Sequence, residues 1–176
     1  YRLQSLEFPA SCSSIQFNFL TYGCGSLSRI SFAKDNPNYT TDDNHQIVLT
    51  KDKTKAISCV YSPTSLTLPS YIEILGSYFA NNRLSNLNFY SDSRLRIVES
   101  LAFRQSGTKS IVFPSSLEEI RADAFWQSQI VNVTLSESLS VLNIKAFSQT
   151  YYLMNIFIPA GNRHFLSLDG VVYNSN

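Results

Sequence analysis

The chain has 176 residues, of which 44% are hydrophobic, 13% aromatic and 15% charged, with a formal net charge of +1. Such a length and apolar content suit one domain with a real core and argue against disorder. The near-neutral balance, without a Lys/Arg cluster, argues against nucleic acid or an anionic membrane as partner, because both need concentrated positive charge.

Charged residues fall short of the roughly 25% usual in soluble domains, and 27 Ser and 14 Asn make up the difference. The chain opens on Tyr1-Arg2-Leu3 and closes on Tyr173-Asn174-Ser175-Asn176, and reads as a fragment of a longer protein. No window approaches the ~18 consecutive apolar residues of a membrane span. Cys12, Cys24 and Cys59 form an odd set with no metal-ligand spacing, so they are expected to be buried free thiols, with a single disulfide as the alternative.

Taken in chain order, the sequence repeats. A first unit runs from Leu3 to Leu20 and a second from Leu27 to Phe79, the second carrying a long insertion. Within that insertion, Lys34 to Ser62, two apolar runs (Ile47-Val48-Leu49 and Ala56 to Val60) flank Lys51-Asp52-Lys53-Thr54, which predicts a β-hairpin bulging from one coil. Four apolar-x-x-apolar-x-apolar stretches follow: Leu84 to Phe89, Thr108 to Phe113, Ile130 to Leu135 and Leu153 to Ile158, with Thr108 the one polar first position. Second stretches recur at Leu95 to Phe103, Ser116 to Phe125 and Leu139 to Phe147. The aromatic punctuation at Phe79, Phe103, Phe125 and Phe147 steps by 24, 22 and 22 residues, inside the ~20–29 residue period of leucine-rich repeats. Period-2 alternation predicts a half-buried strand at the start of each unit, with Ile111 and Phe113 inward and Ser110 and Val112 outward. Pro9, Pro69, Pro114 and Pro159 mark where that strand ends, since proline cannot donate to a ladder. At Phe165 to Tyr173, Asp169-Gly170 between apolar alternations predicts another hairpin.

The expected architecture is one domain over 1–176 with inserted hairpins at about 34–62 and 162–176. It is a β-rich, right-handed leucine-rich repeat solenoid of about six repeats, the last incomplete. One parallel concave sheet, short turns or 3₁₀ segments on the far side and almost no α-helix are expected. No repeat can bury its apolar edge alone, so the coils stack into one core.

The residues resemble the BspA-like leucine-rich repeat family, whose unit runs L-x-x-I-x-I-P-x-S-L-x-x-I-x-x-x-A-F. Ser110 to Ile120 and Ala124-Phe125 follow it almost position for position, and Asp169 to Tyr173 is an element that members often carry. Leu20 in place of the aromatic, and Tyr90 and Ser136 in place of the proline, depart from it. The resemblance implies a surface-exposed or secreted repeat protein associated with adhesion to host cells, matrix proteins or other microbes.

Catalytic constellations are absent from the sequence. Asp42-Asp43-Asn44-His45 sits in a polar approach to the first hairpin, where Asp and Asn serve turns, and His164 stands alone. We expect no enzyme, no cofactor and no metal. Binding rests on geometry instead, because stacked coils present their outward strand residues about 4.8 Å apart. One ladder runs Ser5, Arg29, Ser65, Asn86, Ser110, Asn132, Asn155 and the other Glu7, Ser31, Thr67, Asn88, Val112, Thr134, Phe157. Arg29, Asn86, Asn88, Val112, Asn132, Thr134, Asn155 and Phe157 are the candidate ligand-binding residues of the concave face. Uncharged hydrogen-bonding groups beside a few apolar anchors suit a protein surface or a neutral glycan. Sequons occur at Asn38 and Asn132; a glycan on the latter would block that face.

Two functions fit these features. The first is a non-catalytic adhesion or recognition module, cell-surface or extracellular, that binds host-cell or matrix proteins or neutral glycans. The second is a scaffold segment that mediates protein–protein assembly.

Overall fold

A computed structural model describes residues 3–15, 24–60, 63–168 and 171–175. Each coil begins with a strand whose alternate residues are buried. These first strands are β1 (Ser5–Phe8), β2 (Arg29–Phe32), β6 (Ser65–Leu68), β8 (Asn86–Phe89), β10 (Ser110–Val112), β12 (Asn132–Thr134) and β14 (Asn155–Phe157). In β6 and β10 the pattern is strict: Leu66, Leu68 and Ile111 are buried, while Ser65, Thr67, Ser110 and Val112 are exposed. A turn then reverses the chain. The carbonyls of Pro9, Pro69, Pro114 and Pro159 each accept the amide N–H three residues on, from Cys12, Ile72, Leu117 and Asn162. Tyr90 and Ser136 do the same for Ser93 and Leu139, so the turn survives where proline is replaced.

The far side differs from the expected turns. A two-residue strand recurs in four consecutive coils as β7 (Ile74–Leu75), β9 (Ile97–Val98), β11 (Glu119–Ile120) and β13 (Val141–Leu142), all parallel and in register. Their inward members Leu75, Val98 and Ile120 are fully buried. The inserted segment supplies β3 (Tyr39–Thr41), β4 (Ile47–Thr50) and β5 (Lys55–Cys59), which run antiparallel to one another. This segment does not bulge away. Lys55 and Ala56 pair in parallel with Ile74 and Leu75, so the far side is a seven-stranded sheet ordered β13-β11-β9-β7-β5-β4-β3. The reason is apolar: Ile47, Val48, Leu49, Ala56, Cys59 and Val60 are all buried, and a free-standing hairpin would leave them in water.

The core is not the single one expected: Leu27, Ile30, Val48 and Val60 form a smaller cluster under the first coils, and the main core is the column between the two faces. Phe79, Phe103 and Phe125 are fully buried, with Phe147 packed partly against them. Burial of such a ring is worth about 1.5–3 kcal/mol in area terms. At the C-terminal end, β15 (Phe165–Leu168) runs antiparallel to β16 (Val171–Asn174), and Ser167 Oγ donates to Ile156 O at 2.8 Å. The expected tight turn at Asp169-Gly170, and Leu20 in the aromatic slot, lie outside the described residues. Among the described residues no helix forms, and none is long and apolar enough to cross a membrane. All three cysteines are free, but only Cys59 is buried; Cys12 and Cys24 are half-buried, which corrects the expectation of three buried thiols.

Candidate functional site on the first-strand face

The two expected ladders are in register wherever the strands pair. Ser5 faces Arg29 and Glu7 faces Ser31; Ser65 faces Asn86 and Thr67 faces Asn88; Ser110, Asn132 and Asn155 align, as do Val112, Thr134 and Phe157. The first strands do not form one sheet, however. They fall into three, β1-β2, β6-β8 and β10-β12-β14. Val112, Asn132, Thr134, Asn155 and Phe157 therefore share a sheet, Asn86 and Asn88 belong to a second, and Arg29 is set apart on a third.

Within the largest of these, the side chains form an oriented chain. Asn155 Nδ2 donates to Asn132 Oδ1 at 2.8 Å, and Asn132 Nδ2 donates to Ser110 Oγ at 3.3 Å. A hydroxyl that accepts still has its own proton to give. Asn88 Nδ2 reaches Leu66 O at 3.4 Å, whereas the Asn86 amide has no partner among the described residues. Val112 and Phe157 are exposed, at 66% and 55%.

The interruption between β8 and β10 has a local cause. Six positions separate Phe89 from Leu95, against four from Phe113 to Leu117, so the turn after β8 is two residues longer. No ladder joins β8 to β10, yet other contacts hold the coils together, three of them close to the gap or directly opposite it. Thr108 Oγ1 donates to Leu84 O at 2.9 Å, the Phe89 and Phe113 rings approach to 5.9 Å, and β9 pairs with β11 on the far side. Gly107 marks the junction, since a Cβ there would lie 2.3 Å from Asn82 O. The gap is thus a fixed cleft of about 480 Å³, lined by Asn86, Asn88, Tyr90, Ser110, Val112 and Pro114 among others.

Glu7 and Arg29 are the charged members of the first-strand ladders, and the ion pairs sit on the other face. Lys55 pairs with Glu99 at 2.7 Å, Arg96 with Glu118 at 2.8 Å, and Arg121 with Glu119 at 3.0 Å. The hydrogen bond from Arg96 holds the Glu118 carboxyl below its ordinary range, and Glu118 in turn raises Arg96. Asp42 is committed to its turn, accepting from the N–H groups of Gln46 and Ile47 at 2.8 and 2.6 Å. His45 Nδ1 lies 3.0 Å from Thr41 Oγ1, and His164 is exposed.

A profile of the BspA type leucine rich repeat region matches residues 53–168 in six copies. The chain belongs to the BspA-type leucine-rich repeat family. Solved structures similar to this BspA-type chain include a leucine rich cell surface protein from Faecalibacterium prausnitzii, at 18% identity and TM-score 0.49 over 89% of this chain and 48% of that one. A leucine-rich repeat protein from Eubacterium ventriosum is similar at 17% identity and TM-score 0.41, covering 90% and 55%. The pneumococcal vaccine antigen PcpA is similar at 16% identity and TM-score 0.43, covering 91% and 52%. The chain spans about half the length of these structures. No curated protein matches it.

Sequence reasoning missed Tyr90, which it met only as a missing proline, and left Ser110 in the ladder without a role. The signal was the 24-residue step among 22-residue ones, which places two extra residues beside Tyr90.

Proposed function

We propose that the chain is a non-catalytic recognition module of a cell-surface or extracellular protein, binding host-cell or matrix proteins or neutral glycans through its first-strand face. The observation that carries this reading is the contrast between the far sheet and the uncharged β10-β12-β14 surface. Ion pairs occupy the far sheet, while β10-β12-β14 presents in-register Asn, Ser and Thr beside exposed Val112 and Phe157. Such a surface suits an uncharged, hydrogen-bonding ligand, with the apolar side chains as anchors. Cell-surface placement is what the resemblance to the BspA-type family implies.

The test is binding of the purified chain to a panel of host proteins and glycans beside an Asn88/Asn132/Phe157 triple alanine variant. Selective loss in the variant is the expected result. Equal binding by both proteins removes the first-strand face as the site.

A scaffold role is favoured by a different observation. Ile144, Tyr151, Tyr152 and Met154, in the last coils, are 98%, 76%, 63% and 73% exposed, large apolar side chains available for a contact between proteins. Concentration-dependent association in sedimentation, abolished by Ile144→Ser with Met154→Ser, would support assembly over ligand recognition.

A further inference from the structure

Resting on the reading of the first-strand face as the ligand face, we propose that the cleft between β8 and β10 is a subsite for a neutral saccharide. Its volume of about 480 Å³ falls within the ~300–1,000 Å³ of small-ligand sites. Its chemistry is that of sugar recognition. Tyr90, 55% exposed, offers a rigid amphipathic ring whose face is apolar and whose hydroxyl is polar. Asn86 brings an amide without a partner, able both to donate and to accept. Ser110, already accepting from Asn132, directs its remaining proton to a further acceptor.

The backbone adds to this. In paired coils the facing strand edges bond to each other; along β8 and β10 no ladder forms, so their peptide groups on this side are left for water or ligand hydroxyls. A saccharide carries closely spaced groups that donate and accept and can satisfy such an edge, whereas a purely apolar ligand would leave it unpaired at a cost. No charged residue lines the cleft, so a sialylated or sulfated sugar would find no counter-ion there, and discrimination should favour neutral rings. The cleft is held open by fixed contacts at Thr108, Phe89 and Phe113, so little ordering cost is left for binding.

The test is an array of neutral and of sialylated or sulfated oligosaccharides, followed by calorimetric titration of the tightest neutral binder. Natively folded chain is expected to bind neutral oligosaccharides. Tyr90→Ala, and Asn86→Ala combined with Ser110→Ala, should each weaken that binding at least tenfold, while Arg96→Ala leaves it within twofold. These positions are exposed, so near-ultraviolet circular dichroism should stay native. Binding of acidic glycans alone, of no glycan, or of neutral glycans with unchanged affinity in both cleft variants overturns the subsite. If the chain then still binds a protein in a manner sensitive to Asn132→Ala and Phe157→Ala, the subsite has failed and the reading of the face stands.

Discussion

Phe103 and Phe125 lie face to face, ring centroids 4.7 Å apart and planes 5° from parallel, although each belongs to a different coil. Phe125 stacks in turn on Phe147 at 5.0 Å and meets Phe113 edge-on at 6.3 Å. The ring therefore ties three successive coils, and nothing beside it can collapse into its place without shifting all of them. Phe125→Ala should cost about 3–5 kcal/mol, the range for deleting a fully buried aromatic ring. Urea unfolding measures it. A near-neutral effect contradicts the stack.

Thr108 is the one polar residue at an otherwise apolar position, and it is fully buried. Its hydroxyl bonds the Leu84 carbonyl where the first-strand ladder is missing, so a side chain ties the two coils there. Thr108→Val keeps the shape and removes the donor, leaving a buried carbonyl unpaired. Destabilisation of about 1–3 kcal/mol is expected. Hydrogen exchange should also quicken around Leu84 to Phe89 more than around Asn132 to Thr134, because only the former coil depends on that bond.

These two positions show what the sequence could and could not disclose. The aromatic column was legible because one Phe per coil recurs at nearly constant spacing, and periodicity is what a stack imposes on a chain. Strand register was legible for the same reason: Ser110, Asn132 and Asn155 align because equal repeats align. The far-side strands were not, since two-residue strands such as Ile97–Val98 are too short to show alternation. Nor was the break at β8, because a ladder fails through backbone geometry, which two added residues near Tyr90 alter without leaving a hydrophobic pattern. The ion pairs escaped notice for another reason. Lys55, Glu99 and Arg121 are far apart in sequence and meet only once the coils are stacked.

Asn162 is buried and uses its whole amide. Nδ2 donates to Ser136 O and Leu139 O at 3.0 and 2.9 Å, and Oδ1 accepts from the N–H groups of His164 and Phe165, both at 2.8 Å. Asn36 repeats this with Pro9 O, Cys12 O and the N–H groups of Asn38 and Tyr39. Each stands where the chain leaves the repeat for an antiparallel pair, and each brackets the turn of the coil before it. Asn162→Ala should cost about 1–3 kcal/mol through unpaired backbone groups. Asn162→Asp should cost at least as much, because a carboxylate cannot donate to the two carbonyls and carries a charge into a buried site. Thermal melts of the two variants separate these effects; an aspartate variant as stable as the parent contradicts the bracket.

Cys59 is fully enclosed between the inserted strands and the core, and Asn81 Nδ2 lies 3.2 Å from its sulfur. Burial pushes its thiol up to about 12 from an ordinary 9.0, and the thiolate is the reactive form. A disulfide-exchange reagent at pH 8 should therefore leave Cys59 unmodified in the native chain and modify it after denaturation, while half-buried Cys12 and Cys24 react more readily. The same shift sets a pH dependence. Between about pH 9 and 12 the unfolded chain has lost this proton and the folded chain keeps it, so stability falls as pH rises through that window. Other groups also titrate there, and Cys59→Ala isolates the contribution: its unfolding free energy should decline less steeply above pH 9 than that of the parent. Equal slopes, or fast native modification of Cys59, would mean that the inserted strands open readily to solvent and do not form a fixed part of the far sheet.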